Sequence, residues 1–173
     1  MDEIAKYLVD HGNIKFGHFK LASGKESNYY VDVKSALLNP EFLKKVSKAA
    51  SKFVTGEKVA AVELGAVPFG VGVSLETGKE LIIVRKEKKE YGLGKEYEGS
   101  IENISKITFV EDVTTTGGTI LRAINLMREK KVDVDRVIVV VDRNEGARDN
   151  LKSIGVELYP LVEMDQLKKE LGL

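Results

Sequence analysis

The chain of 173 residues contains no cysteine and only two histidines. Disulfides and thiolate metal sites are therefore excluded, and a zinc site is not expected. No apolar run approaches the ~18 residues that a membrane span needs, and the N-terminus lacks the basic-then-apolar pattern of a secretion signal. We therefore expect a cytoplasmic protein with no membrane partner, and Mg²⁺ is the metal that its chemistry would favour.

An excess of charge of one sign is also missing. The chain has 27 basic and 27 acidic residues, so nothing favours nucleic acid as a partner. It has three prolines and no repeat or low-complexity tract. Its length and its 43% hydrophobic content suit one core, which predicts a single domain over residues 1–173.

The most informative stretch runs from an apolar strand through two acids and a Thr/Gly loop into a helix. Residues 106–110 mix β-branched and aromatic side chains, and residues 119–127 place apolar side chains at helical spacing. The loop therefore lies at a helix N-terminus, where free backbone N–H groups and the helix dipole favour phosphate, and its glycines allow close approach. The preceding Glu111 and Asp112 are suited to sugar hydroxyls or to charge near a metal ion.

Two common phosphate motifs are absent. The sequence has no GxxxxGK[ST], and Gly70-Val71-Gly72 lacks the third glycine of a dinucleotide-binding motif. The competing interpretation of the 111–119 stretch is an ordinary strand-to-helix turn capped by threonine, which leaves the adjacent acids unexplained.

Elsewhere strands and helices alternate, which predicts an α/β fold with a mostly parallel central sheet flanked by helices. A first helix ends near His11, and a hairpin of residues 16–21 and 28–33 completes an N-terminal segment, 1–35, that we expect to form a small hood. Asn39-Pro40 begins the next helix. Strands are predicted at 58–64, 80–84, 106–111, 136–142 and 156–161, and helices at 68–77, 119–127, 147–153 and 165–171.

Residues 85–99 form a long charged insertion with three glycines. A loop of this length without its own secondary structure is typical of a lid or a linker. Its basic residues would close over an anionic substrate, so we predict a mobile catalytic lid. The alternative is a solvated run of charge.

The 111–119 stretch resembles the phosphoribosyl-diphosphate motif of the type I phosphoribosyltransferases. Three further stretches resemble the orotate phosphoribosyltransferases in particular: residues 21–30 the substrate loop, 85–92 the catalytic lid and 142–146 the orotate-contacting segment. Residues 63–68 resemble the family's diphosphate loop. Some members of this family have Lys at the positions of Ala22 and near Val67, and His commonly stands where this chain has Tyr91.

The resemblance implies transfer of the phosphoribosyl group of 5-phosphoribosyl 1-diphosphate to orotate, with Mg²⁺ bridged by the substrate near Asp112 rather than bound directly by the protein. It implies catalytic roles for Lys89, Asp112 and Glu111, and orotate binding by Thr115, Arg143, Tyr29 and Tyr30. It implies phosphoribosyl-diphosphate binding by Arg85, Lys86, Lys89, Tyr91, Glu111, Asp112, Val113, Thr114, Thr115, Thr116, Gly117, Gly118 and Thr119.

The chemistry of Arg143 agrees with this, because a guanidinium can give a carboxylate two parallel hydrogen bonds. Two other functions stay open: transfer to another nucleobase, and a phosphoribosyl-diphosphate-sensing regulator, although no basic DNA-binding segment is left over. The family resemblance also implies a homodimer whose lid serves the neighbouring subunit.

Overall fold

The N-terminal part of the chain forms a helix and a separate two-stranded sheet. The structure is a computed structural model that describes residues 2–20, 26–86 and 95–173. Helix α1 (Glu3–Asp10) is capped by Asp2, whose carboxylate accepts a hydrogen bond from the Ile4 N–H. Strands β1 (Ile14–Lys20) and β2 (Glu26–Val31) pair antiparallel, which matches the predicted hairpin.

Two helices connect this hairpin to the main sheet. The short helix α2 (Val33–Leu37) was not predicted from the sequence. The longer α3 (Pro40–Ser51) begins as predicted, because the Asn39 side chain caps it and proline occupies its first turn.

The remaining elements alternate strand and helix, as expected, except that three strands follow one another between residues 81 and 114. They are β3 (Lys58–Val62), α4 (Val67–Thr77), β4 (Leu81–Val84), β5 (Tyr97–Glu98), β6 (Lys106–Thr114), α5 (Gly118–Glu129), β7 (Asp133–Asp142), α6 (Ala147–Lys152), β8 (Glu157–Glu163) and α7 (Met164–Glu170).

The main sheet has six strands in the order β5-β4-β3-β6-β7-β8. All neighbours are parallel except β4 and β5, which are antiparallel. The predicted mostly parallel sheet is thus confirmed, and β8 lies at one edge. The two-residue strand β5 was not predicted and extends the opposite edge.

Both faces of the sheet are covered by helices. On β3, Val59 and Ala61 pack with the core that includes α3 and α4, whereas Ala60 and Val62 pack with the core under α5 and α6. The chain passes from β3 to β4 on one side and then returns to β6 on the other side of β3. Ligands of such sheets bind in the crevice at the carboxyl ends of the strands where this reversal occurs.

Candidate active site

A cavity of about 370 Å³ lies at this reversal point, beside the carboxyl ends of β3 and β6. It is lined by the turn that follows β3, by Lys86 after β4, and by Glu111 and Asp112. The peptide bond between Glu63 and Leu64 in that turn is cis. The structure therefore brings together residues at the carboxyl ends of three parallel strands, β3, β4 and β6.

The two acids belong to strand β6 itself, which corrects the predicted end of the strand at residue 110 or 111. The strand continues to Thr114, with Val113 opposite Val141 and Thr114 opposite Asp142. It is longer because β7 offers backbone partners as far as Asp142. The acids consequently lie within the hydrogen-bonded sheet and not in a free loop.

Both acids are buried. The Asp112 N–H donates a hydrogen bond of 3.1 Å to Glu111 Oε1. Burial, followed by the neighbouring Asp112 carboxyl, holds the pKa of Glu111 well above its usual range, and the Lys34 ammonium partly opposes this rise. A positive charge that approaches this pair would favour the ionised form of Glu111.

The predicted phosphate loop is Thr115–Gly117 together with the first turn of α5. Gly117 has φ +80°, a left-handed conformation that suits glycine, and it stands at the helix N-cap position without a side-chain cap. A hollow of about 60 Å³ lies here and is lined by residues that include Glu111, Thr115 and Gly118. The first N–H groups of α5 are thus available to an anion.

Two bonds from α6 hold this loop in place. The Ala147 N–H donates to the Thr115 carbonyl at 3.0 Å, and Asn150 Nδ2 donates to the Thr116 carbonyl at 2.8 Å. Thr114 also lines the hollow, but its buried hydroxyl donates to Asp142 Oδ1 at 3.0 Å. Its side chain therefore joins β6 to β7.

The described residues of the predicted lid, 85–86 and 95–99, lie directly after β4 and around β5. Arg85 pairs with Glu98 at 2.6 Å and with Glu63 at 3.6 Å, and Arg122 on α5 donates hydrogen bonds to the carbonyls of Arg85 and Lys86. Of the predicted phosphate-binding cations here, Lys86 lines the cavity, whereas Arg85 is engaged by carboxylates. Lys89 and Tyr91 lie outside the described residues, as does the rest of 87–94.

Arg143 follows β7 and meets the N-terminal hairpin. Its Nε donates to the Tyr29 hydroxyl at 3.3 Å, and its guanidinium pairs with Glu145 at 2.9 Å. Tyr29 is 7% exposed, whereas Tyr30 is 43% exposed and packs against Phe19. The structure thus brings Tyr29 to Arg143, but it turns Tyr30 elsewhere.

Sequence reasoning missed Lys34 and Arg122, and it gave no individual contact to Glu63 or Glu145, which lie in the predicted 63–68 and 142–146 segments. Lys34 belongs to α2, and Asp32 caps that helix by accepting from the Ser35 N–H. A cap of this kind is a helix signal that the sequence displays. The other three are placed by tertiary contacts, which no local pattern indicates.

Within residues 2–20, 26–86 and 95–173, no group of three or more His, Asp or Glu side chains is arranged to hold a metal ion. The donors at the cavity are the carboxylates of Glu63, Glu111 and Asp112, which are hard oxygen ligands of the type that Mg²⁺ accepts. In that same part of the chain, no helix has the length and apolar character that a bilayer crossing requires.

Residues 33–156 match the family model described as "Phosphoribosyl transferase domain". The chain is 48% identical to the orotate phosphoribosyltransferase of Pyrococcus horikoshii over 177 residues, which covers 99% of this chain and 95% of that protein.

Solved structures agree. The orotate phosphoribosyltransferase of Aeropyrum pernix superposes with a TM-score of 0.81 at 28% identity and 98% coverage of both chains. The Mycobacterium tuberculosis orotate phosphoribosyltransferase in complex with phosphoribosyl diphosphate gives a TM-score of 0.75 at 25% identity, covering 95% of this chain and 96% of the other.

Proposed function

Because the chain belongs to the phosphoribosyltransferase family, and within it to the orotate phosphoribosyltransferases, we propose that it transfers the phosphoribosyl group to orotate at the cavity between β3 and β6. The products are orotidine 5-phosphate and diphosphate, in the synthesis of UMP. One observation carries the assignment of the site: a buried pair of acids stands between an open helix N-terminus and a cation-bearing cavity.

The position of the substrate follows from these parts. Its 5-phosphate binds the free N–H groups at the start of α5, where the helix dipole favours an anion. The ribose then lies over Glu111 and Asp112, because these acids line the cavity beside the hollow and carboxylates accept hydrogen bonds from sugar hydroxyls. The diphosphate extends past the acids to the turn after β3 and to Lys86.

The residues act mainly through electrostatics. As the bond to diphosphate breaks, positive charge develops on the ribose and negative charge on the leaving oxygens. The carboxylate of Asp112 stabilises the first charge, and ionisation of Glu111 adds to this as the cation forms. Lys86, with Lys89 of the lid, stabilises the second, and positioning of both substrates contributes further.

The carboxylates present are compatible with Mg²⁺. The ion would be held chiefly by substrate oxygens and would lie near Asp112, since no protein cluster among the described residues supplies three acidic or histidine ligands. When bound, Mg²⁺ neutralises charge on the diphosphate.

Orotate is recognised by Arg143, whose guanidinium matches a carboxylate with two parallel hydrogen bonds. One of its N–H groups pairs with Glu145 at 2.9 Å. Tyr29 holds the Nε side of the group, which leaves the remaining N–H groups for the substrate. A neutral purine ring would have no carboxylate for this site to bind.

We further propose that the working unit is a homodimer. The exposed face of α4 carries Val71 and Leu75, 42% and 80% exposed, and Leu64 in the preceding turn is 81% exposed. Apolar side chains one helical turn apart on an outer face suit burial against a second subunit. This surface directly follows the turn that lines the cavity, so a partner would stand close to the site.

The test of the function is an assay with phosphoribosyl diphosphate, Mg²⁺ and each nucleobase in turn. Orotate absorbance should fall only with all components present, and adenine, guanine and hypoxanthine should give no turnover. Arg143→Ala should raise the KM for orotate roughly ten- to a hundredfold while leaving that for phosphoribosyl diphosphate nearly unchanged, as expected for loss of charged hydrogen bonds. Turnover of a purine instead of orotate would contradict the proposal.

A further inference from the structure

Lys34 enters the cavity from a part of the chain that none of the motifs includes. It lies in the first turn of α2, between the hairpin and α3, and its exposed side chain lines the cavity together with Gly65, Lys86 and Asp112. Among the described residues its ammonium makes no hydrogen bond or ion pair. It is therefore available to a ligand.

Gly65 shows how closely these elements converge. A Cβ on this residue would stand 2.4 Å from Asp112 Oδ2 and 2.6 Å from Lys34 Cε. Both distances are below van der Waals contact, so a side chain at this point of the turn would require the ends of the Asp112 and Lys34 side chains to move. The absence of a side chain lets the end of Lys34 and the carboxylate of Asp112 approach the same stretch of backbone from two sides.

The charge balance of the cavity gives Lys34 its importance. The described lining contains three carboxyl groups, Glu63, Glu111 and Asp112, and two ammonium groups, Lys34 and Lys86. A substrate with a diphosphate brings several further negative charges. Such a group is stable in this place only where cations face it, since unlike charges at hydrogen-bond distance offset the cost of removing phosphate from water.

The location of Lys34 in the cavity determines which group of the substrate it can contact. The hollow at α5 and the cavity share Glu111, Val113 and Thr119, so a ligand can extend from one into the other past the acids. With the 5-phosphate in the hollow and the ribose over the acids, only the diphosphate reaches the turn at Gly65, where Lys34 lies.

We propose that Lys34 is a further substrate-binding residue, whose ammonium group binds the diphosphate of phosphoribosyl diphosphate across the Gly65 turn. This inference rests on the proposed function, because it takes the direction of the substrate from it. Lys34 belongs to α2 and not to the predicted lid, so it is a cation that the lid does not supply.

Binding of Mg²⁺-diphosphate to the intact protein, measured by titration calorimetry, tests this without turnover. Lys34→Met keeps the apolar stem but removes the charge, and it should weaken diphosphate binding about ten- to a hundredfold, the usual effect of losing a hydrogen bond to a charged group. The KM for phosphoribosyl diphosphate should rise in parallel, whereas that for orotate should stay within about twofold. Lys34→Arg should retain most of the binding.

The matched control is Lys44→Met, an exposed lysine on α3 that does not line the cavity, and it should leave diphosphate binding unchanged. Lys34→Gln also removes the charge but keeps a polar end. It should weaken diphosphate binding as much as Lys34→Met does, which would show that the effect does not come from the methionine side chain. Diphosphate binding within twofold of the unmodified protein in both variants would overturn the inference. So would a lower kcat at full diphosphate affinity, because that result would limit Lys34 to positioning Asp112.

Two different results would refute the proposed function and the proposed role of Lys34. An unmodified protein that does not convert orotate would refute that function, whereas the binding difference between Lys34→Met and Lys44→Met would still be measurable. A protein that converts orotate but binds diphosphate equally well with and without the Lys34 charge would refute only the role of Lys34.

Discussion

The hydroxyl of Tyr29 lies 3.3 Å from Nε of Arg143, across 114 positions of sequence. The same hydroxyl lies 3.4 Å from Glu145 Oε1, and the Arg143 guanidinium stands over the Tyr29 ring at 4.9 Å. The hairpin thus fixes one side of a guanidinium that is supplied by the far end of β7. Burial is the main cause of a raised Tyr29 pKa, so the hydroxyl stays neutral and can accept from Nε while donating to Glu145.

Removing this hydroxyl should loosen Arg143 without changing its charge. Tyr29→Phe keeps the ring and should raise the KM for orotate about two- to tenfold, because a typical hydrogen bond contributes ~1 kcal/mol. The KM for phosphoribosyl diphosphate should not change. Tyr30→Phe is the matched control, since Tyr30 faces Phe19, and it should have no effect on either constant. If the two variants behaved alike, Tyr29 would not position Arg143.

Glu145 pairs with Arg143, with 2.9 Å between guanidinium and carboxylate. The carboxylate of orotate competes with this internal partner for the positive charge of Arg143. Glu145→Gln weakens the internal pair and should lower the KM for orotate by up to about fivefold, since partly exposed ion pairs contribute ~0.2–1 kcal/mol. Steady-state kinetics at saturating phosphoribosyl diphosphate would measure it.

The control is Glu163→Gln, which removes a comparable ion pair with Arg148 and should leave orotate kinetics unchanged. A higher KM for orotate in Glu145→Gln would mean that Glu145 holds Arg143 in its productive orientation instead of competing with the substrate.

The sequence predicted the elements whose signals are local. The acids, the Thr/Gly loop and α5 lie within one continuous stretch, and α3 carries its own cap at Asn39. The helix α2, with five residues, and the strand β5, with two, are too short to show a period, and they form because tertiary neighbours stabilise them.

The missed residues and contacts of the site have the same physical origin. Glu145 is two residues from Arg143, yet its role depends on the pairing geometry after β7. Lys34 reaches the cavity beside Gly65, whose lack of a side chain leaves space above the turn after β3. Sequence periodicity describes which face of an element is buried, but it does not describe which two elements meet at a point.

Glu57 precedes β3 and links it to the start of β6, at the end of these strands that lies away from the site. Hydrogen bonds from the backbone and hydroxyl of Ser105, 2.7 and 2.8 Å long, lower its pKa. A lowered pKa in the folded state means that the ionised carboxylate adds stability above the unfolded pKa, about 4.3 for an unperturbed Glu. This contribution is lost as the pH falls through the lower, folded value.

Glu57→Gln should therefore lower the melting temperature at pH 7, and the difference from the unmodified protein should shrink as the pH falls below about 4. Thermal unfolding followed by circular dichroism across this pH range would show it. Glu76→Gln, an exposed glutamate on α4, should give the same curve as the unmodified protein. A difference that stayed constant with pH would assign the effect to packing and not to the charge of Glu57.

The last prediction concerns the shared site that the proposed homodimer implies. If the lid closes over the neighbouring subunit, a Lys89→Ala chain keeps its acids and Arg143, while an Asp112→Asn chain keeps its lid. Each variant alone should be nearly inactive. When the two are mixed and exchange subunits, two-fold symmetry gives each heterodimer one site built from both intact halves. The heterodimer should therefore have about half the activity of an unmodified dimer.

Two controls accompany this experiment. Sedimentation of differently labelled chains would verify the exchange of subunits. Leu75→Glu on the exposed face of α4 should both dissociate the dimer and abolish the recovered activity. Verified heterodimers without activity would place each lid over its own subunit.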